Sequence, residues 1–267
     1  MGENEQGGML RNVVILGLIA LISAVVIGLV VNLTDNTKDR TNQAAEDIEL
    51  AGVDDEATSV FKYTMHDDTK TASIYGLAKK DEIKDTDLEI PAKVRRGKTI
   101  YKVTEIGSSV FNGVPLKSVV FDGNVETIGS YAFANTGIKT VTLSNDMKTI
   151  SDGAFMNDQI NTITLPGKLD SIGKYAFQNN DLTTIVIKDG IELIGDAAFS
   201  HNDLVNLDLP DSVKTVGKWS FSENKLTPET VIIGKNTVYD HTVDSASFGL
   251  IWDGKAGANK VFEPKTR

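Results

Sequence analysis

Residues Ile172–Ile187 read IGKYAFQNNDLTTIVI, and close variants lie on both sides, IGSYAFANTGIKTVTL from Ile128 and IGDAAFSHNDLVNLDL from Ile194. The register is strict. Phe111, Phe133, Phe155, Phe177, Phe199 and Phe221 are each 22 residues apart, as are Ile106, Ile128, Ile150, Ile172, Ile194 and Val216. A fixed period in the twenties marks a solenoid, in which each unit closes one coil and buries its apolar residues by stacking on its neighbours. Within a coil, Leu182, Ile185 and Ile187 follow L-x-x-I-x-I, a short strand with those side chains inward and Val186 outward. The spacing therefore predicts a mainly β protein in which each coil adds one strand to a parallel sheet.

Turn residues follow the strand, Pro166–Lys168 in one coil and Lys188–Gly190 in the next, and then a second apolar pair such as Leu169 and Ile172. Gly129, Gly173, Gly195 and Gly217 come after that pair, where close packing or a positive φ would exclude a Cβ. Ala176 and Phe177 then send a small and a large side chain inward. Tyr131, Tyr175 and Trp219 share one repeat position and alternate with Gly153 and Ala197. Large–small alternation between coils is a packing device, and the same column is also readable as an aromatic binding stripe. Asn135, Asn157, Asn179, Asn180, Asn202 and Asn224 follow the phenylalanine, where turn chemistry favours asparagine.

The unit IGKYAFQNNDLTTIVIKDGIEL closely resembles the BspA-like leucine-rich repeats of microbial surface proteins, whose units read roughly I-G-x-x-A-F-x-N-N-x-L-x-x-I-x-I-P-x-x-V-x-x. The resemblance runs from Leu88 to about Phe248. LEIP at Leu88 matches the strand of an initial unit, with Ile90 and Pro91 in the places of Leu165 and Pro166. At the other end, TPETVII after Leu226 breaks the spacing, and DSASF ending at Phe248 reads as a degenerate A-F unit displaced by five residues. Irregular terminal units are expected because they cap the core. The resemblance implies a leucine-rich-repeat solenoid that works in adhesion, with a rigid sheet as a preformed binding surface.

Ahead of the repeats, Val13–Leu33 contains 21 residues without a charge, about 31 Å as a helix against a hydrocarbon core of about 30 Å. The run is longer than a cleavable signal and leads into a polar segment, so it reads as a retained transmembrane anchor. Arg11 precedes it while Lys38 and Arg40 follow, a balance that leaves orientation open. Met1–Gly8, MGENEQGG, also resembles a prepilin-type leader, except that Val13 stands where such leaders carry glutamate. The alternative it implies is a pilin-like filament subunit processed after Gly8. From Asp35 to Ser59 the chain carries eight acidic residues against Lys38 and Arg40, an acidic stalk or plain linker. FKYTM and TASIYGL alternate around HDDTK and predict a β-hairpin cap. The basic run Lys93–Lys98 reads as a solvated insertion loop, with contact to an anionic envelope polymer as the functional alternative. The expected organisation is a tail over 1–12, a transmembrane helix over 13–33, a stalk over 34–58, and a β cap with an irregular unit over 59–105. The repeats then occupy 106–233, and a degenerate unit and cap fill 234–267.

Composition excludes several functions. The net charge of −10 and pI near 4.8 oppose a nucleic-acid footprint, which needs a clustered basic face. With no cysteine there is no disulfide, thiolate metal site or cysteine nucleophile. His66 beside Asp67 and Asp68 suggests a metal site only superficially, since no second ligand cluster follows, and His201 and His241 stand alone. No nucleophile elbow, P-loop or H-E-x-x-H motif occurs, so no catalytic residue, metal ligand or cofactor is assigned.

What repeats on the outside is a strand face. Val120, Thr142, Thr164, Val186 and Asp208 form its outward column, flanked by Ser118, Thr140, Thr162, Thr184 and Asn206 and by Lys117, Lys139, Asn161, Thr183 and Val205. At about 4.8 Å per strand, seven coils would offer a sheet about 30 Å long. The face reads either as a binding surface for an extracellular protein or glycan, or as a hydroxyl ladder that only finishes the sheet. The sequence thus points to a membrane-anchored, non-enzymatic adhesion protein with extracellular repeats. Its partners would be that ligand and, through Val13–Leu33, the lipid bilayer, without nucleic acid. The oligomeric state is not encoded legibly.

Overall fold

The computed structural model describes residues 50, 53–240, 246–248, 250–252, 259–261 and 263–267. The apolar run over 13–33, the leader before it and the stalk up to residue 49 lie outside the described residues. Among the described residues, no helix is long and apolar enough to cross a membrane. From Asp54 onward the chain forms one unit, dominated by parallel strand pairing at a 22-residue offset.

The phenylalanines at the 22-residue spacing are fully buried. From Phe133 to Phe221 their rings stack nearly parallel, with centroids 5.2 to 5.4 Å apart, an offset geometry that suits the ring quadrupole. Phe111 extends the column at one end and Phe248 at the other, so the displaced DSASF segment supplies the next ring of the stack. Both ends are then closed edge-on, by Phe61 against Phe111 and by Tyr239 against Phe248.

Each coil contributes two strands rather than the one that the L-x-x-I-x-I pattern predicts. The continuous sheet is built from the short segments Thr127–Ile128, Thr149–Ile150, Ser171–Ile172, Leu193–Ile194 and Thr215–Val216, all parallel and in strict register. The glycine after each of four of these pairs donates its N–H to the isoleucine carbonyl of the preceding coil at 2.8 Å. A Cβ at Gly173 would stand 2.5 Å from the Asp152 backbone nitrogen, and one at Gly195 2.7 Å from the Gly173 carbonyl carbon. Close approach therefore explains these glycines, without a positive φ. Between Ile172 and Phe177 a further ladder begins: Phe133, Phe155, Phe177 and Phe199 each donate N–H to the residue before the next phenylalanine, at 2.7 to 2.8 Å.

The asparagines split into two columns that the repeat alone did not separate. Asn135, Asn157 and Asn179 are exposed, have φ near +60°, and pass a side-chain hydrogen bond from each coil to the preceding one at 2.8 to 3.3 Å. Asn180, Asn202 and Asn224 turn inward. Each accepts a main-chain N–H with Oδ1 at 3.0 to 3.1 Å, and each donates Nδ2 to the carbonyl of the phenylalanine 25 residues earlier. The amide thereby satisfies backbone groups that burial would otherwise leave unpaired. One coil carries Asp158 at this position. Its Oδ1 accepts from the Thr136 N–H and hydroxyl and the Gly137 N–H, each at 2.8 Å, but its buried Oδ2 has no partner. Burial pushes its pKa up to about 6.

The N-terminal cap is the antiparallel hairpin Phe61–His66 with Thr71–Leu77, whose second strand runs parallel to Thr99–Ile106. The basic run is not a solvated loop. Lys93–Arg96 pairs antiparallel with Thr99–Ile106 on one side and parallel with Asp54–Asp55 on the other. Arg95 is paired with Asp55, and Arg96 meets the Glu56 carboxylate at 2.7 and 3.2 Å. Asp55 and Glu56, the last acids of the expected stalk, are thus the counter-ions of this run, which corrects the reading of the run as a solvated loop.

Candidate functional site

The nine strand-face residues, Lys117, Val120, Lys139, Thr142, Asn161, Thr164, Thr183, Val186 and Asp208, are all exposed. They alternate with inward neighbours: Val141 and Ile163 are buried between exposed members of their own strands, and Val119 between half-buried Ser118 and exposed Val120. Val120 and Val186 expose 41 % and 49 % of their surface, an arrangement that leaves apolar contact area in water on a rigid strand.

The face is not the single ladder that the repeat predicts. Its strands fall into three parallel groups: Thr86–Ile90, Leu116–Phe121 and Thr140–Thr142; then Thr162–Leu165 and Thr184–Ile187; then Leu207–Asp208, Val231–Ile233 and Lys265–Thr266. No strand pairing joins Thr140–Thr142 to Thr162–Leu165 among the described residues. Stacking survives because the short Thr–Ile sheet and the phenylalanine N–H ladder run on through these coils.

A cleft of about 360 Å³ lies at the first interruption, within the range of small-ligand sites. Thr140 and Thr142 line one side and Thr162 and Thr164 the other, with Asn145, Pro166 and Lys188 at the ends. Thr142 and Thr164, picked from the repeat, therefore meet in one concavity. Thr140 and Thr162, from the column that flanks theirs in the repeat, line the same cleft, and Asn145 and Lys188 join them from the turns after the strands. Asp122, Ser144, Pro166, Lys188 and Pro210 share one repeat position after the strand, so no single departure from the unit marks the place; the Ser144 hydroxyl there accepts the Asp146 N–H at 3.0 Å. Hydroxyls, an amide and one ammonium group around a partly open cleft can hold a polar ligand by hydrogen bonds. They offer no nucleophile with an adjacent base.

Other selected residues lie apart from this cleft. Asp208 is tied to Arg267, which also reaches the Asp211 carboxylate at 3.2 Å, so its carboxylate belongs to the C-terminal clasp. Lys117 and Val120 sit on the first group of strands, and Thr183 and Val186 beside the cleft on the second. In the cap, His66 meets the Ser73 hydroxyl at 3.2 Å, and Asp67 accepts from the Tyr101 hydroxyl. Among the described residues, no three His, Cys, Asp or Glu side chains cluster as metal ligands would.

The family described as BspA type Leucine rich repeat region matches residues 104–227 in six copies. The leucine-rich repeat protein of T. pallidum is similar in structure with a TM-score of 0.51 and 21 % identity, over 66 % of this chain and 85 % of that one. The pneumococcal vaccine antigen PcpA is similar with a TM-score of 0.56 and 22 % identity, over 71 % of this chain and 54 % of that one. Both likenesses are of fold. No curated protein sequence matches the chain.

Proposed function

Residues 104–227 are a BspA-type leucine-rich repeat region, and from that premise we propose that the chain is a membrane-anchored cell-surface protein that binds an extracellular protein or glycan in adhesion. The supporting observation is the interrupted strand face. A rigid array of exposed side chains is held by ladders elsewhere in the coil, and it opens into a cleft lined by four threonines. A preformed surface loses little conformational entropy on binding, so weak contacts spread along it can add up to useful affinity. The apolar run Val13–Leu33 is long enough to hold the repeats at a bilayer.

The test is to present the full chain to an array of extracellular-matrix proteins and glycans and to compare variants on whatever it retains. Thr142→Arg, Thr164→Arg and Val186→Arg should each weaken retention about tenfold, an effect of about 1.4 kcal/mol, with an unchanged melting curve. Gln159→Arg, an exposed position outside the strands, is the charge-matched control and should be silent. Loss of retention in Gln159→Arg with all three strand variants unaffected would move the site off this face.

A further inference from the structure

A second surface runs along the turns. Tyr131, Tyr175 and Trp219 expose 39 %, 38 % and 44 % of their surface. All three adopt the left-handed backbone region, with φ of 56°, 60° and 54°, which is unfavourable for bulky side chains. Gly153, the same repeat position one coil after Tyr131, has φ 62° without that cost. The alternation has a steric cause: the Tyr131 ring fills the space that a side chain at Gly153 would occupy, its Cε1 only 2.4 Å from where a Cβ would stand. Ala197, the coil after Tyr175, is likewise small and buried. Packing thus limits large rings to alternate coils. It does not require aromatic rings, nor does it hide them.

The geometry points to a glycan-stacking ridge, and we propose that Tyr131, Tyr175 and Trp219 bind an extended β-1,4-linked pyranose chain. The first argument is spacing. Phenylalanine rings of adjacent coils are 5.3 and 5.4 Å apart between Phe133 and Phe177, and the parallel strands just before the aromatic column stand about 4.8 Å apart, so positions two coils apart repeat at about 9.6 to 10.7 Å. A β-1,4-linked chain is a two-fold ribbon that shows the same sugar face every second residue, a step that falls inside this range. An extended peptide repeats the same face at about 6.7 Å and falls out of step. The second argument is charge. The column just before the rings carries Asp152, Lys174, Asp196 and Lys218, which sum to zero. Asp152 and Asp196 accept the main-chain N–H groups of Lys174 and Lys218 at 2.8 and 3.0 Å, and Lys174 is paired to Asp196 at 2.9 Å. Such a fringe offers donors and acceptors to hydroxyls while giving no net attraction to a polyanion. Exposed aromatic rings with polar neighbours match the apolar C–H faces and hydroxyl rims of sugars.

The experiment titrates the full chain in detergent micelles with cellohexaose and with chitohexaose by calorimetry, using cellobiose, chitobiose and maltohexaose as comparators. At least one β-1,4 hexasaccharide should bind about tenfold more tightly than its disaccharide, which cannot bridge two rings, and than the helical α-linked maltohexaose. Tyr175→Ala should remove most of that advantage. It should also fold, since Ala197 already occupies the same position and conformation. Tyr175→Phe keeps the ring and should bind within about threefold of the parent. Thr142→Arg, in the strand-face cleft, should bind as the parent does, which separates this ridge from the adhesion surface. The proposal is overturned if neither hexasaccharide binds, if chain length makes no difference, or if Tyr175→Ala is silent while Thr142→Arg abolishes binding.

Discussion

Asp158→Asn should stabilise this protein at neutral pH and stop doing so in acid. The side chain sits where Asn180, Asn202 and Asn224 each donate an amide hydrogen to a buried phenylalanine carbonyl. By the 22-residue register the corresponding carbonyl is that of Phe133. A carboxylate cannot donate, and its Oδ2 is buried without a partner. Burial comes first among the causes that raise its pKa from the ordinary 3.8 to about 6, against hydrogen bonds from Thr136 and Gly137 that oppose the rise. The native state therefore holds this proton more tightly than the unfolded chain does. Stability from the site is full below about pH 4, falls as pH rises towards 6, and stays low above it. The pKa difference corresponds to about 3 kcal/mol at pH 8. Asparagine has the shape of the protonated acid and restores the donor, so it should recover most of that amount. At about 2–4 °C per kcal/mol, Tm should rise by about 6–12 °C at pH 8, and by nearly nothing at pH 4. Circular dichroism melts of parent and variant at pH 8, 6 and 4 measure the difference, from which every other titrating group cancels. A variant less stable than the parent at pH 8, or a gain that does not change with pH, would refute the reasoning.

Two further outcomes follow from the stack and the anchor. Phe177→Ala removes a fully buried ring held 5.4 and 5.2 Å from its neighbours and should cost about 3–5 kcal/mol in urea unfolding; a loss below about 1 kcal/mol would place the ring outside the core. Protease added to intact cells that carry the chain should release the repeats and leave the apolar run over 13–33 with the membrane, whereas repeats protected until the membrane is permeabilised would remove the adhesion function.

What the residues determined on their own was everything tied to the period. Burial of Phe133 to Phe221 and the inward and outward alternation of the strands follow from a 22-residue spacing, because a stacked coil places equivalent residues directly above one another, while the start at Leu88 and the displaced last ring at Phe248 were legible from the motif of the unit rather than from its period. Tertiary structure decided what the period averages away. Equivalent asparagines one residue apart, Asn179 and Asn180, went to opposite sides of the backbone, since only one of the two could reach buried main-chain groups. Strand pairing across the outward face was broken between Thr142 and Thr164, and the cleft formed there because other ladders already held the coils. Arg95 and Arg96 found Asp55 and Glu56 some 40 residues earlier in the chain, and Asp208 found Arg267 beyond the last repeat. Those pairings join segments that do not repeat, so no period could announce them; they exist because opposite charges and unpaired strand edges were brought together at the two ends of the stack.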